Sequence, residues 1–118
     1  MNFENRLKSA VESEDGEIFT GFCIESASGV MNLCAERVAA LNMYMNTGKT
    51  KIKKLIVFRD NPPHNGGMPC GACREFLMQL NKDNKDTEIL TDYETRTTIK
   101  LSEVLPNWWG DKRYNKEG

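Results

Sequence analysis

Two cysteine motifs constrain this chain more than anything else in it. Cys34-Ala35-Glu36 falls where a helix begins, and Pro69-Cys70-Gly71-Ala72-Cys73 falls where a second one begins. A helix start exposes unpaired backbone N–H groups and carries a partial positive charge, and both favour thiolate over thiol. A fold that brings the two starts together therefore gathers three thiolates at one point. The chain has 118 residues, room for a single domain over 1–118 with a polar tail from Asp111. Domains this small usually draw extra stability from a metal, a partner subunit or both.

Around the motifs, the patterning alternates strands and helices. Strands are expected at Leu7–Ser13, Glu17–Glu25, Lys51–Phe58, Thr87–Tyr93 and Thr97–Ser102, and helices at Leu33–Thr47 and Gly71–Asn81. Asp15-Gly16 has the chemistry of a tight hairpin turn, and Gly48 supplies a helix stop. Val38, Leu41 and Met45 are expected to form the inward stripe of the first helix; Phe76, Leu77 and Leu80 form that of the second. A short terminal helix is expected from Ser102. The order β-β-α-β-α-β-β implies an α/β layer fold, a central mixed five-stranded sheet covered by helices.

Sixteen basic against seventeen acidic side chains leave a net charge of -1, which argues against a nucleic acid polymer as ligand. No apolar run is long enough for a membrane span. The opening Met1-Asn2-Phe3-Glu4-Asn5-Arg6 lacks the apolar core of a signal peptide, so a cytoplasmic protein is expected. In a reducing compartment the four cysteines are metal ligands or catalysts rather than disulfides.

Three cysteine ligands, Cys34, Cys70 and Cys73, leave one tetrahedral position of a Zn2+ ion to water, the arrangement of a catalytic site. Zinc lowers the pKa of that water. Glu36, two residues after a ligand, is placed to carry protons as general base and then general acid. Two other readings stay open at this level. One is a redox dithiol at Cys70 and Cys73, which leaves Cys-Ala-Glu unexplained. The other is a closed four-cysteine site including Cys23, which falls on a strand rather than at a helix start. Three thiolates on one Zn2+ leave a net negative centre, so Arg37 and Arg74, each just after a ligand, are candidates to support it from outside the ligand set.

A ligand two positions before a glutamate, followed later by Pro-Cys-x-x-Cys, is the zinc nucleobase-deaminase pattern. With Cys34 at the first ligand position, the chain resembles the cytidine deaminase family in its small, three-cysteine, free-nucleoside branch. The matching segments also include Asp15–Gly21, Ile24–Ser28 and Leu105-Pro106. The resemblance implies hydrolytic deamination of a cytosine-type nucleoside, with a further aminopyrimidine such as blasticidin S, or a non-catalytic zinc-stabilised binder, as the alternatives. It implies a sugar-contacting wall at Cys23 and Glu25, although the family has asparagine where this chain has Cys23. It places the Ala35 backbone along the ring. It makes Arg37 a partial neutraliser of the thiolates. It also implies a homo-oligomer, with a tetramer favoured, in which Trp109 stacks on a base in a neighbouring subunit's site. Trp108 is expected at the interface itself. The family's leading helix is expected to be shortened or absent.

Overall fold

The computed structural model describes residues 8–24, 33–58 and 68–111. Within them the strands are β1 (Lys8–Ser13), β2 (Ile18–Phe22), β3 (Ile52–Phe58), β4 (Glu88–Asp92) and β5 (Thr97–Lys100). The helices are α1 (Ala35–Thr47) and α2 (Gly71–Leu80), with 3-10 helices at Lys82–Asp86 and Leu101–Val104. The expected leading helix and the polar tail beyond Asp111 concern residues outside this set.

The strands form one mixed sheet in the order β2-β1-β3-β4-β5. β1 is antiparallel to both β2 and β3, β4 and β5 are antiparallel, and only β3 and β4 run parallel. A parallel pair needs a crossover, and α2 provides it. The β1–β2 hairpin closes as its sequence requires: Gly16 takes φ 86°, and Ser13 exchanges backbone bonds with Gly16 and Glu17.

One face of the sheet carries the core. Val11, Leu55, Val57 and Ile89 meet Ala39, Ala40 and Met43 of α1 and Leu77 and Met78 of α2, all buried. β3 presents Ile52 as well as Leu55 and Val57 to this face because the register against β1 shifts between Glu12 and Ser13, absorbing the extra residue. Buried Asn84 joins α2 to β3. Its Oδ1 accepts the Ile52 N–H at 2.8 Å, and its Nδ2 donates to the Leu77 carbonyl at 2.9 Å and the Thr50 carbonyl at 3.1 Å. The opposite face, with Ala10, Ile18, Ile56 and Leu90, lines an open concavity.

The inward stripe of α1 is not the one the periodicity predicts. Ala35, Glu36, Ala39, Ala40 and Met43 are buried, whereas Leu41 is 38% and Met45 84% exposed. The reason is the approach of β2. Gly21 lies so close to α1 that a Cβ there would fall 2.4 Å from the Ala39 nitrogen and 2.7 Å from the Ala35 carbonyl oxygen. Only the alanine face of the helix permits that contact, and it turns the larger Leu41, Tyr44 and Met45 outward. In α2 the expected Leu77 is buried, with Phe76 and Leu80 packed against the core and Met78 added to it. No helix among the described residues is long and apolar enough to cross a membrane.

Candidate metal centre and active site

Cys34 is the N-cap of α1, with φ -75° and ψ 150°, and Cys70 is the N-cap of α2, with φ -67° and ψ 169°. An N-cap keeps an extended backbone while its carbonyl accepts the first helical bonds. Here the Cys34 oxygen takes the N–H of Arg37 and Val38, and the Cys70 oxygen takes that of Arg74. Entry to α1 is fixed one residue earlier. Ile24 and Leu33 exchange both backbone bonds, at 2.8 and 2.9 Å, tying the end of β2 to the residue before Cys34.

The two N-caps meet. The sulfurs of Cys34 and Cys70 lie 3.7 Å apart, and with Cys73 they form a group whose ligand atoms all lie within 4.8 Å of one another. Tetrahedral zinc with Zn–S bonds of about 2.3 Å sets its sulfurs about 3.8 Å apart, so the donor set and its spacing fit that ion. Cys23 is not part of the group, and the closed four-cysteine reading falls with it.

The electrostatics divide the cluster. Burial pushes the Cys70 thiol up, but the backbone N–H groups of Cys73 and Ala72 and the neighbouring thiols of Cys73 and Cys34 oppose it, and the net direction is below the ordinary thiol range. Cys73 goes the other way. It is fully buried, and burial together with the adjacent Glu36 carboxylate pushes its thiol well up. A divalent cation reverses this logic, because it favours every coordinating thiolate.

That interaction also locates Glu36. Glu36 is only 4% exposed, and its carboxyl reaches the Cys73 sulfur from the first turn of α1. Arg37 Nη2 donates to Cys34 Sγ at 3.7 Å. This bond holds the guanidinium more firmly protonated; burial opposes the shift, while charge at Cys73 and Cys34 adds to it. Its Nε is buried without a hydrogen-bond partner among the described residues. Arg74 turns to main-chain carbonyls instead. Its Nε donates to Pro69 at 2.9 Å and its Nη1 to Val104 at 3.1 Å, so it braces the ligand loop through the backbone rather than through a sulfur.

Of the remaining expected contacts, Ala35 is buried at the first position of α1, and Cys23 is half-buried just beyond β2. Glu25, the other member of the expected sugar-facing pair, lies outside the described residues. Trp109 is 52% exposed, and its indole N–H donates to Glu75 Oε1 at 2.7 Å. Trp108 is buried in the core cluster and bonds the same carboxylate. Burial pushes the Glu75 carboxyl up, but bonds from Gln79, Trp108 and Trp109 outweigh it and hold it below the usual range. Sequence reasoning missed Glu75. No local pattern links it to tryptophans 33 and 34 positions away.

Residues 9–86 match the family model of the cytidine and deoxycytidylate deaminase zinc-binding region. The chain is 39% identical over 92 residues to a cytidine deaminase of Mycoplasma pneumoniae, covering 77% of this chain and 68% of that protein. It is 32% identical over 103 residues to a probable cytidine deaminase of Dictyostelium discoideum, covering 86% of this chain and 66% of that one. It thus spans about two thirds of the length of these relatives. Among solved structures, it is similar to the cytidine deaminase of Mycobacterium leprae, with a TM-score of 0.72 and 25% identity over 86% of this chain and 79% of that one.

Proposed function

The chain belongs to the cytidine and deoxycytidylate deaminase family of zinc-dependent hydrolases, and from that premise we propose that it converts free cytidine or deoxycytidine to the uracil nucleoside and ammonia. The observation that carries the reading is the buried Glu36 carboxylate beside a cluster of three cysteine sulfurs. A carboxylate withdrawn from solvent at such a site suits proton transfer better than dipole compensation at a helix start.

Cys34, Cys70 and Cys73 would hold the zinc, which supplies Lewis-acid activation of a water near neutral pH. Glu36 takes a proton from the water that adds to the ring carbon bearing the amino group. It delivers that proton to the ring nitrogen, then takes the water's second proton from the hydroxyl now on the ring carbon and passes it to the departing amine, which leaves as ammonia as the carbonyl forms. The carboxylate thus ends the cycle as it began. Arg37 offsets the negative charge of three thiolates, and Arg74 holds the Pro69 carbonyl that precedes Cys70. The Ala35 backbone borders the ring, and Cys23 with Glu25 borders the sugar. A thiol donates and accepts only weakly where an amide does both well, so the sugar is held less firmly than by an asparagine.

The reading extends to assembly and setting. The protein acts as a cytoplasmic enzyme of pyrimidine salvage and as a homotetramer in which Trp109 stacks on a base in a neighbouring site. The exposed Leu41, Tyr44 and Met45, neighbours along α1, support association, since large apolar groups gathered on a surface mark contact sites, and Trp109 is separately half-exposed.

The test is ammonia release over cytidine, deoxycytidine, cytosine, deoxycytidylate and blasticidin S, using protein with measured zinc content. Turnover of the two nucleosides supports the assignment. Turnover of blasticidin S alone moves the substrate to another aminopyrimidine. No release from any of them by zinc-loaded protein leaves a binding protein.

A further inference from the structure

Glu75 follows Cys73 by two residues, and at about 100° per residue it points away from the metal cluster. Its carboxylate collects both indoles of the tryptophan pair. Trp108 Nε1 donates to Oε1 at 3.0 Å and to Oε2 at 2.9 Å, Trp109 Nε1 donates to Oε1 at 2.7 Å, and Gln79 Nε2 donates to Oε2 at 2.8 Å. Hydrogen bonds to an ionised acceptor are about twice as strong as neutral ones.

The geometry before and after the pair makes the arrangement specific. Asn107 takes φ 53°, a left-handed conformation that asparagine tolerates, and reverses the chain ahead of Trp108. The Trp108 ring then lies against Gly110, where a Cβ would fall 2.5 Å from ring carbons. Trp108 is thereby pinned. Trp109 is the more exposed of the two, its ring 5.9 Å from that of Trp108 at 55°. A half-exposed indole has several rotamers open to it, and the carboxylate selects the one with the N–H edge turned inward and apolar ring surface left outward. Arg74, next to Glu75, bonds both the Pro69 and Val104 carbonyls, so the ligand loop, α2 and the C-terminal segment are linked.

We propose that Glu75 is a positioning residue that fixes the orientation of the Trp109 ring for stacking on the substrate base. This rests on the stacking role given to Trp109 above. Glu75 itself touches neither substrate nor metal. It acts through the indole N–H, and its adjacency to Cys73 keys the ring displayed to a neighbouring site to the geometry of the chain's own metal site.

The experiment compares Glu75→Leu, Glu75→Gln, Trp109→Phe, Trp109→Ala and the double variant Glu75→Leu/Trp109→Phe by zinc content, cytidine kinetics and near-ultraviolet circular dichroism. Losing the weakest base–aromatic stack corresponds to about fivefold, so Glu75→Leu should raise KM for cytidine by about that factor or more. The turnover number should stay within about twofold and the zinc in place. Glu75→Gln, which keeps an oxygen acceptor, should recover much of the KM. In the Trp109→Phe background, where the ring has no N–H to hold, Glu75→Leu should add no further rise. An equal rise in both backgrounds, an unchanged KM, or a parallel loss of zinc and turnover would overturn the proposal. If Trp109→Ala leaves KM unchanged, the stacking role fails by itself, and orientation is then judged on the spectrum. Loss of the tryptophan bands in Glu75→Leu supports the clamp, and an unaltered spectrum overturns it. Should Glu75→Leu not fold, Glu75→Gln in the two backgrounds carries the same comparison.

Discussion

Cys34 and Cys70 hold the same station on different helices: each is the N-cap, and their sulfurs stand 3.7 Å apart. The positive ends of two helix dipoles thus converge on one point, joined by the Arg37 guanidinium. Such a point favours concentrated negative charge, which three thiolates supply. The same convergence sets Glu36, two positions past the Cys34 N-cap in the first turn of α1, beside Cys73.

Metal content follows from this geometry. One zinc per chain is expected, measured by elemental analysis of purified protein. Cys70→Ser should lose most of it, whereas Cys23→Ser should keep it, since Cys23 stands outside the sulfur group. Stripping the zinc with a chelator should lower the melting temperature, because a ligand that binds only the folded state stabilises it. Loss of zinc in Cys23→Ser would restore the four-cysteine reading.

Glu36→Gln keeps the shape of the side chain and removes its capacity to carry a proton. Zinc content and melting temperature should hold, while turnover of cytidine falls by roughly a factor of 10² to 10⁴. Steady-state kinetics on zinc-matched samples decides it. Substantial residual turnover would assign the proton work elsewhere.

Shared sites predict complementation. Subunits carrying Trp109→Ala mixed with subunits carrying Glu36→Gln should regain activity over either alone, since some sites then combine an intact Glu36 with an intact Trp109. Light scattering on the same samples gives the mass. A monomer, or verified mixed oligomers without recovery, counts against sharing.

Gly21→Ala tests the contact that sets the phase of α1. The added Cβ meets backbone at 2.4 Å, which no side-chain rotation relieves. Overpacking of this kind costs about 1–3 kcal/mol. Denaturant unfolding should show that loss with an unchanged m-value. Zinc retention should weaken with it, because the Ala35 carbonyl that Gly21 abuts belongs to the residue between Cys34 and Glu36.

Asn84→Ala removes one acceptor and two donors from a buried position, leaving the Ile52 N–H and the Leu77 and Thr50 carbonyls short of partners. Each buried group left unpaired costs about 1–3 kcal/mol, so this substitution should destabilise more than any single surface change. Thermal unfolding of the zinc-loaded variant measures it. A melting temperature within experimental error of the parent would mean that water replaces the side chain.

The element order, the hairpin at Gly16, the helix stop at Gly48 and the two cysteine motifs at helix starts were all legible in the sequence, for one physical reason. Each depends on residues a few positions apart on a single element, where turn chemistry, periodicity and helix-end electrostatics act locally. Tertiary structure decided the rest. The apolar residues of α1 offer two stripes, and periodicity selects the one with larger side chains. The fold buries Ala35, Ala39, Ala40 and Met43 instead, because β2 approaches at Gly21 and leaves room only for small groups. Glu75 with its tryptophans, Asn84 with Ile52 and Leu77, and Arg74 with Val104 are likewise made by the path of the chain. Their partners lie on different elements, brought together only when both helices and the C-terminal segment settle against one another.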